Sequence, residues 1–275
     1  MAINLQLKKF DMTKIKDDKI IVILGKRGTG KSFLTKDILY HHRDIPVGTV
    51  ISPTENANHF YGNFVPKIFI HDEYHPSITS NFMKRQKKMG KVIESGENID
   101  KRAFLILDDC LYDNAWKNDK VIRETFFNGR HWGIFALFLL QYPLGISPQL
   151  RTNIDYVFIF RENVNANRRR IYEQYAGMFK TFEMFCSVMD QCTENFECLV
   201  IDNNIQSNKI EDQIYWYKAE IHPNFKLCPD ELWHYSEDNY VEPTEDDDEI
   251  NINTYSNSKK GPVLNVRKMN SDRRH

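Results

Sequence analysis

Ile20-Ile-Val-Ile-Leu24-Gly25-Lys-Arg-Gly28-Thr-Gly30-Lys31-Ser32 runs a short apolar stretch straight into the pattern Gly-x-x-x-x-Gly-Lys-Ser. The apolar stretch predicts a strand buried on both faces. Residues 25–32 have the pattern of a loop that cradles nucleotide phosphates between a strand and a helix. Gly25, Gly28 and Gly30 tolerate angles and close approaches that a Cβ forbids. Backbone N–H groups from Gly25 through Lys26, Arg27, Thr29 and on to Phe33 are expected to converge on phosphate at a helix N-terminus, where the helix dipole favours negative charge. Lys31 is expected to reach the β- and γ-phosphates, and the Ser32 hydroxyl to ligate Mg²⁺. Phe33, Leu34, Ile38 and Leu39 recur at helical spacing and supply the helix. A Gly-rich turn with an ordinary surface lysine is the plain alternative, and the strand–loop–helix context counts against it.

Ala103-Phe-Leu-Ile-Leu-Asp108-Asp109 is a second apolar strand, ending in two acids. Ligands of open α/β sheets bind at the carboxyl ends of strands, where these carboxylates would stand beside the phosphate loop. Asp108 is expected to complete the Mg²⁺ shell, and Asp109 to prepare the water that attacks the γ-phosphate of ATP. Asp109 is one methylene shorter than the Glu more usual at this place, which leaves its reach open. A strand ending in a solvated acidic turn is the alternative for this motif taken alone. Gln141 closes the next apolar strand, where its amide either bonds the attacking water or caps an exposed strand end.

Working outward, strands are predicted at 20–24, 47–52, 67–71, 103–108, 133–140 and 155–160, and helices at 31–42, 76–91, 117–129 and 165–180. Alternation of this kind predicts an α/β fold with a mostly parallel central sheet flanked by helices. A strand between the loop strand and the acidic strand, with a Gln-tipped strand after it, fits the additional-strand branch of P-loop NTPases. No Asn-Lys-x-Asp guanine reader appears. Residues 198–218 read as a late β-hairpin. From 237 to 275 an acidic block gives way to Ser/Asn-rich and basic sequence, expected to be a disordered tail behind a 1–236 ATPase domain.

The 275 residues carry 37 Lys+Arg against 38 Asp+Glu, so any polyanion site must come from local clustering. No stretch is long and apolar enough for a membrane span, and the charged N-terminus does not read as a signal peptide. Five cysteines, with Cys186, Cys192 and Cys198 six apart, lack paired zinc-ligand spacing and predict free thiols in a reducing compartment.

Gly25–Ser32, Leu105–Asp109, Asn128-Gly-Arg130-His131, Leu140-Gln-Tyr-Pro143, Pro148-x-x-Arg151-x-Asn153-x-Asp155 through Arg161, and Asn167-Arg-Arg-Arg-Ile-Tyr172 occur in that order. Together, over roughly residues 5–235, they resemble the genome-packaging ATPases of poxviruses and other nucleocytoplasmic large DNA viruses, within the FtsK–HerA superfamily. The absence of a membrane segment or DNA-guiding domain favours that compact viral branch over a bacterial chromosome translocase. The resemblance implies an ATP-driven motor that assembles as a homo-oligomeric ring, a hexamer or pentamer, and threads double-stranded DNA into a capsid. It implies docking on a capsid or membrane-vertex protein, and a place in the virion or the host's cytoplasmic viral factory. It also implies an arginine acting on the neighbouring subunit's γ-phosphate. Arg151 ranks first and Arg130 next, with Arg161 and Arg168–Arg170 as further candidates and Arg27 as an in-subunit sensor. Each arginine has the competing role of pairing a structural carboxylate such as Glu162 or Glu173. Lys84, Arg85, Lys87, Lys88 and Lys91 form either a grip on the DNA backbone or a solvated helix face. A helicase of the same class and a non-hydrolysing nucleotide-binding scaffold stay open as alternatives.

Overall fold

The computed structural model describes residues 5–110 and 115–241. In chain order the first half forms β1 (Lys8–Lys9), β2 (Ile20–Leu24), α1 (Lys31–His41), β3 (Gly48–Ile51), α2 (Glu55–Asn58), β4 (Ile70–His71), α3 (Pro76–Glu94) and β5 (Ala103–Asp108). Next come α4 (Ala115–Asn118), α5 (Lys120–Asn128), β6 (Ile134–Leu140), α6 (Pro148–Arg151), β7 (Tyr156–Ile159) and α7 (Asn165–Tyr175). The last part holds α8 (Phe182–Cys192), β8 (Glu197–Asp202), α9 (Ile210–Gln213), β9 (Ile214–Lys218) and α10 (Asp230–Asn239).

The strands make one sheet in the order β1-β9-β8-β7-β2-β6-β5-β3-β4. The loop strand β2 is central, parallel to β6 on one side and β7 on the other. β6 stands between the loop strand and the acidic strand β5, parallel to both, which is the additional-strand arrangement. Among the described strands β8 alone runs against its neighbours, and β8 and β9 form the expected late hairpin.

Alternation along the central strands divides the interior in two. Ile20, Val22 and Leu24, with Ala136, Phe138 and Leu105, face a core completed by Phe82, Met83, Ile122, Phe126, Ile171 and Phe185 from α3, α5, α7 and α8. Ile21 and Ile23, with Leu137, Leu139 and Ile106, face a second core built with Leu34, Ile38 and Leu39 of α1 and with Phe64 and Leu227. Burial on both faces is why these strands read as unbroken apolar runs. β9 and the coil after it are strapped to α1 at buried Asp37, which accepts from the Tyr217 hydroxyl at 2.7 Å and the Glu220 N–H at 2.9 Å.

Several elements differ from expectation. Residues 67–71 are not a full strand: Lys67–Phe69 form a 3-10 turn, and only Ile70 and His71 pair with β3 at the sheet edge. The helix expected over 117–129 is two helices. Asp119 breaks it by accepting the Val121 N–H at 2.6 Å, and it also holds the Thr79 hydroxyl at 2.7 Å. The helix expected to reach residue 180 stops at Tyr175, and α8 and α10 are additions to the predicted set. Helix α10 spans the boundary expected at 236, and the tail beyond residue 241 lies outside the described residues. No helix among the described residues is long and apolar enough to cross a membrane.

Close packing of β3 against β5 depends on one missing side chain. A Cβ on Gly48 would lie 2.1 Å from the fully buried ring of Phe104, its partner on β5. Gly48→Ala is therefore expected to lower unfolding free energy by about 1–3 kcal/mol through overpacking. Denaturant titration should show a lower midpoint, and adding Phe104→Leu should recover part of the loss.

Candidate nucleotide-binding site

Parallel register brings the sequence motifs to one edge of the sheet. The Gly25 N–H donates to Leu140 O at 3.0 Å, and the Asp109 N–H to Leu139 O at 3.1 Å. On the other side, the Phe160 N–H donates to Leu24 O at 2.8 Å. The loop after β2 thus has the acids of β5 and the Gln141 end of β6 on one flank, and the end of β7 on the other. A cleft runs between them, lined by Gly25, Lys26, Gln141, Pro143, Phe160 and Glu162 among others.

The loop is shaped by its glycines and tied by its own side chains. Gly30 sits at φ +110 as the N-cap of α1, a conformation L side chains rarely adopt, and leaves the first amides of the helix without a side-chain cap. The Thr29 hydroxyl donates to Lys26 O at 2.8 Å. Lys31 is buried, its ammonium donating to Gly25 O at 2.8 Å and standing 3.6 Å from Asp109 Oδ2. Ser32 and Phe33 are exposed in the first turn of α1, and Arg27 is exposed in the loop. Lys26 reaches the other flank and pairs with Glu162 Oε1 at 2.6 Å.

The two acids differ in environment. Asp109 has φ +53, a strained left-handed turn that ends the strand's alternation and directs its carboxylate toward Lys31 and Gln141. The Gln141 amide donates to Asp109 Oδ2 at 2.6 Å, while Asp109 Oδ1 is buried with no hydrogen-bond partner among the described residues. Asp108 is buried and accepts the Tyr61 hydroxyl at 2.9 Å. Burial first, and the Asp109 charge second, push Asp108 from its ordinary 3.8 up to about 6, against the Tyr61 hydrogen bond and the Lys31 charge.

Lys31, Asp108, Asp109 and Gln141 therefore meet at the loop; Arg130 and Arg151 do not join them. Arg130 lies at the amino ends of the strands, about 16 Å of β2 away from the loop, paired at 2.5 Å with Asp155. Asp155 is buried, also holds Lys19, and accepts the Ile20 N–H, so Arg130 serves that end of the sheet. The Arg151 guanidinium donates to Ile146 O at 2.6 Å and to Gln174, and lies over the Tyr175 ring. Arg161 is the arginine at the cleft, half exposed and 3.9 Å from Glu194. Arg168 is tied to Asp190, Arg169 lies over Phe182, and Arg170 over Tyr142. In the basic run Lys87 pairs with Glu124, whereas Lys84, Lys88 and Lys91 are exposed along α3. Buried Gln86, on the other face of the same helix, donates to Lys101 O and Trp132 O at the amino ends of β5 and β6.

Three site residues escaped the sequence reading. Glu162 takes Lys26, the Val164 N–H and the Asn167 amide; burial works to raise its pKa, but these donors hold it below the ordinary value. An acid just beyond an apolar strand was its available signal. Glu55, the first residue of α2, and Tyr61 come from the segment after β3. Buried Glu55 accepts the N–H groups of Tyr61 and Gly62 at 2.9 and 2.7 Å, and so aims the Tyr61 hydroxyl at Asp108. Burial and the Asp108 charge keep that hydroxyl protonated far above its usual range.

Residues 7–220 match the poxvirus A32 protein family, and the chain belongs to it. It is 40% identical over 219 residues to the uncharacterized protein L437 of Acanthamoeba polyphaga mimivirus, a match spanning 78% of this chain and 77% of the relative. It is 42% identical over 201 residues to the uncharacterized protein 075L of Invertebrate iridescent virus 6, spanning 72% and 76%. Among solved structures, the genome packaging NTPase B204 from Sulfolobus turreted icosahedral virus 2, in complex with ATP-gammaS, has a TM-score of 0.51 at 18% identity, over 75% of this chain and 100% of that one. Its complex with AMPPCP has a TM-score of 0.53 at the same identity and the same coverage. The likeness is one of fold, that of a P-loop NTPase.

An acid whose pKa is raised on folding binds its proton more tightly in the native state than in the unfolded one. Stability contributed by that proton is present below about pH 4 and is lost as pH rises toward 6. In nucleotide- and metal-free buffer at pH 7–8, Asp108→Asn is therefore expected to stabilise the fold by on the order of 2 kcal/mol, with the difference shrinking toward pH 4. Denaturant midpoints of the two proteins across pH 4–8 check the sign.

Proposed function

We propose that this member of the poxvirus A32 protein family hydrolyses ATP to drive double-stranded DNA into a viral capsid. One observation carries the reading: the buried Lys31 ammonium lies between the Gly25 carbonyl at 2.8 Å and Asp109 Oδ2 at 3.6 Å, with Gln141 closing the far side. Family membership supports it, as does the fold shared with a packaging NTPase solved with ATP-gammaS.

In this mechanism the loop amides and the N-terminus of α1 hold the β-phosphate. Lys31 turns from the loop carbonyls to the β- and γ-phosphate oxygens and offsets their charge. The site fits Mg²⁺, because it offers hard oxygen donors and an acid oxygen, Asp109 Oδ1, that is buried without a partner among the described residues. Ser32 and Asp108 would hold the ion, whose chemistry is to neutralise charge on the phosphate oxygens. Asp109 takes a proton from a water whose oxygen attacks the γ-phosphorus. The bond from that phosphorus to the bridging oxygen breaks, and ADP and inorganic phosphate leave. Gln141 fixes the Asp109 carboxylate and orients the water.

In the ring that we propose, hexameric or pentameric, Arg151 or Arg130 of a neighbouring copy supplies the cation that stabilises the transferring phosphoryl group. Both arginines are held by contacts within their own subunit, so ring closure has to release whichever one serves. Exposed Lys84, Lys88 and Lys91 grip the DNA backbone without reading bases, as a motor that must accept any sequence requires. The remaining contact of the ring is with a capsid or membrane-vertex protein, in the virion or the viral factory.

Phosphate release measured with and without long duplex DNA tests the reading. Lys31→Ala and Asp109→Asn are each expected to lower DNA-stimulated turnover at least about a hundredfold while leaving the far-UV circular dichroism unchanged. Normal turnover in either variant overturns the assignment. Strand separation by the parent identifies a helicase instead, and nucleotide binding without release identifies a scaffold.

A further inference from the structure

The turn between α8 and β8 carries an aromatic ring that the fold does not use. Asn195 and Phe196 occupy the left-handed region in succession, at φ +49 and +65. A bulky residue rarely adopts that conformation, and positions that retain such strain gather at functional sites. The strain does not serve to bury the ring. Phe196 is 66% exposed and stacks on no other aromatic ring among the described residues. The turn itself is well held, with the Glu197 N–H donating to Glu194 O at 2.8 Å and Arg161 standing 3.9 Å from the Glu194 carboxylate.

Its position gives the ring a task. A Cβ built on Gly30 would lie 3.7 Å from the Phe196 Cβ and 3.2 Å from the Phe160 ring, so Phe196 stands beside the start of α1. Along the carboxyl edge of the sheet the order is β5 with Asp108 and Asp109, β6 with Gln141, β2 with the phosphate loop, β7 with Phe160, then β8 with Phe196. A triphosphate whose γ end lies toward Lys31 and Asp109 crosses the loop away from β5 and β6. Its nucleoside then emerges on the β7–β8 flank.

We infer that Phe196 is the platform on which the base of the bound nucleotide stacks, the class of ligand being a nucleoside triphosphate. The inference rests on the nucleotide reading of the loop. A ring face recognises a π-surface and reads no exocyclic group, so ATP and GTP should depend on Phe196 alike. The strained turn is what brings an exposed ring beside the loop in advance of binding.

Calorimetric titration of the full chain in Mg²⁺ buffer, with ATPγS and with tripolyphosphate as probes, tests it. Phe196→Ala is expected to weaken ATPγS binding by about tenfold or more and to leave tripolyphosphate binding unchanged. Phe196→Trp should restore ATPγS affinity, with its fluorescence quenched by ATPγS and not by tripolyphosphate. Phe196→Gly, which accepts the positive φ without strain, should hold or raise the melting temperature and yet lose ATPγS affinity as the alanine variant does. Unchanged ATPγS affinity in the alanine variant overturns the inference, including the case where only the oligomer mass changes and the ring belongs to a subunit contact. Equal weakening of both probes overturns it as well, since that reports damage to the loop. A parent chain that binds neither probe sinks the nucleotide reading itself.

Discussion

Leu139 and Leu140 accept backbone hydrogen bonds from Asp109 and Gly25, and the placing of every other site group depends on those two bonds. They lock β5 and β2 to opposite edges of one strand, so the acids and the phosphate loop stand one strand apart, with Gln141 rising between them. Parallel ladders are evenly spaced, and slipping one by a residue would invert which side chains face each core. With Ile21, Val22, Phe135, Leu137 and Phe138 all fully buried, neither face tolerates the slip. The hydrophobic interior thereby holds the polar edge to its geometry.

That edge concentrates charge at a cost to the fold. Asp108 is buried beside a second carboxylate, its pKa carried up to about 6, and Asp109 occupies a strained backbone conformation with one oxygen unpartnered among the described residues. Lys31 alone cannot balance two acids, and the structure answers with a second layer. Glu55 orders the Tyr61 turn through two N–H groups, and Tyr61 gives Asp108 a hydroxyl that stays protonated. Strain and burial of this sort persist only where surrounding contacts outweigh them, and here the contacts come from both cores.

How much of this was legible depends on the physics of each element. Strands 20–24, 103–108 and 133–140 were readable because burial on both faces leaves no polar interruption. Residues 67–71 carry the same kind of apolar pattern but lie at the sheet edge, where only two of them pair. Asp119 looked like one acid in a helical run. It caps α5 through the Val121 N–H, while Thr79 and Tyr74, far away in sequence, hold its other oxygen, and no local period reports those two contacts. The loop, Asp108, Asp109 and Gln141 could be found because strand ends in a parallel sheet share an edge. Glu55 and Tyr61 could not, since the segment after β3 reaches the site by tertiary folding alone, while Glu162 offered only its place just beyond an apolar strand. Arg130 and Arg151 show the converse: a cation in a suggestive motif says nothing about which partner the fold assigns it, and buried Asp155 claimed the first.

The contacts beyond Gln141 bear on how events at the loop could reach the rest of the subunit. The segment after β6 does not stand alone, because Tyr175 of α7 donates to Pro143 O at 2.8 Å, Arg170 lies over Tyr142, and Arg151 holds Ile146 O. The same helix is gripped from the loop side, where Lys26 pairs with Glu162 and Glu162 accepts the Asn167 amide at 3.1 Å. α7 is thus tied to the phosphate loop through one acid and to the Gln141 segment through Tyr175 and Arg170. A shift of either loop strains contacts that end on α7, whose buried Ile171 and Tyr175 pack into the core shared with α8. Packed cores pass such strain on as rigid displacement, since they compress little. α7 is therefore the element on which contacts from the two sides of the cleft converge.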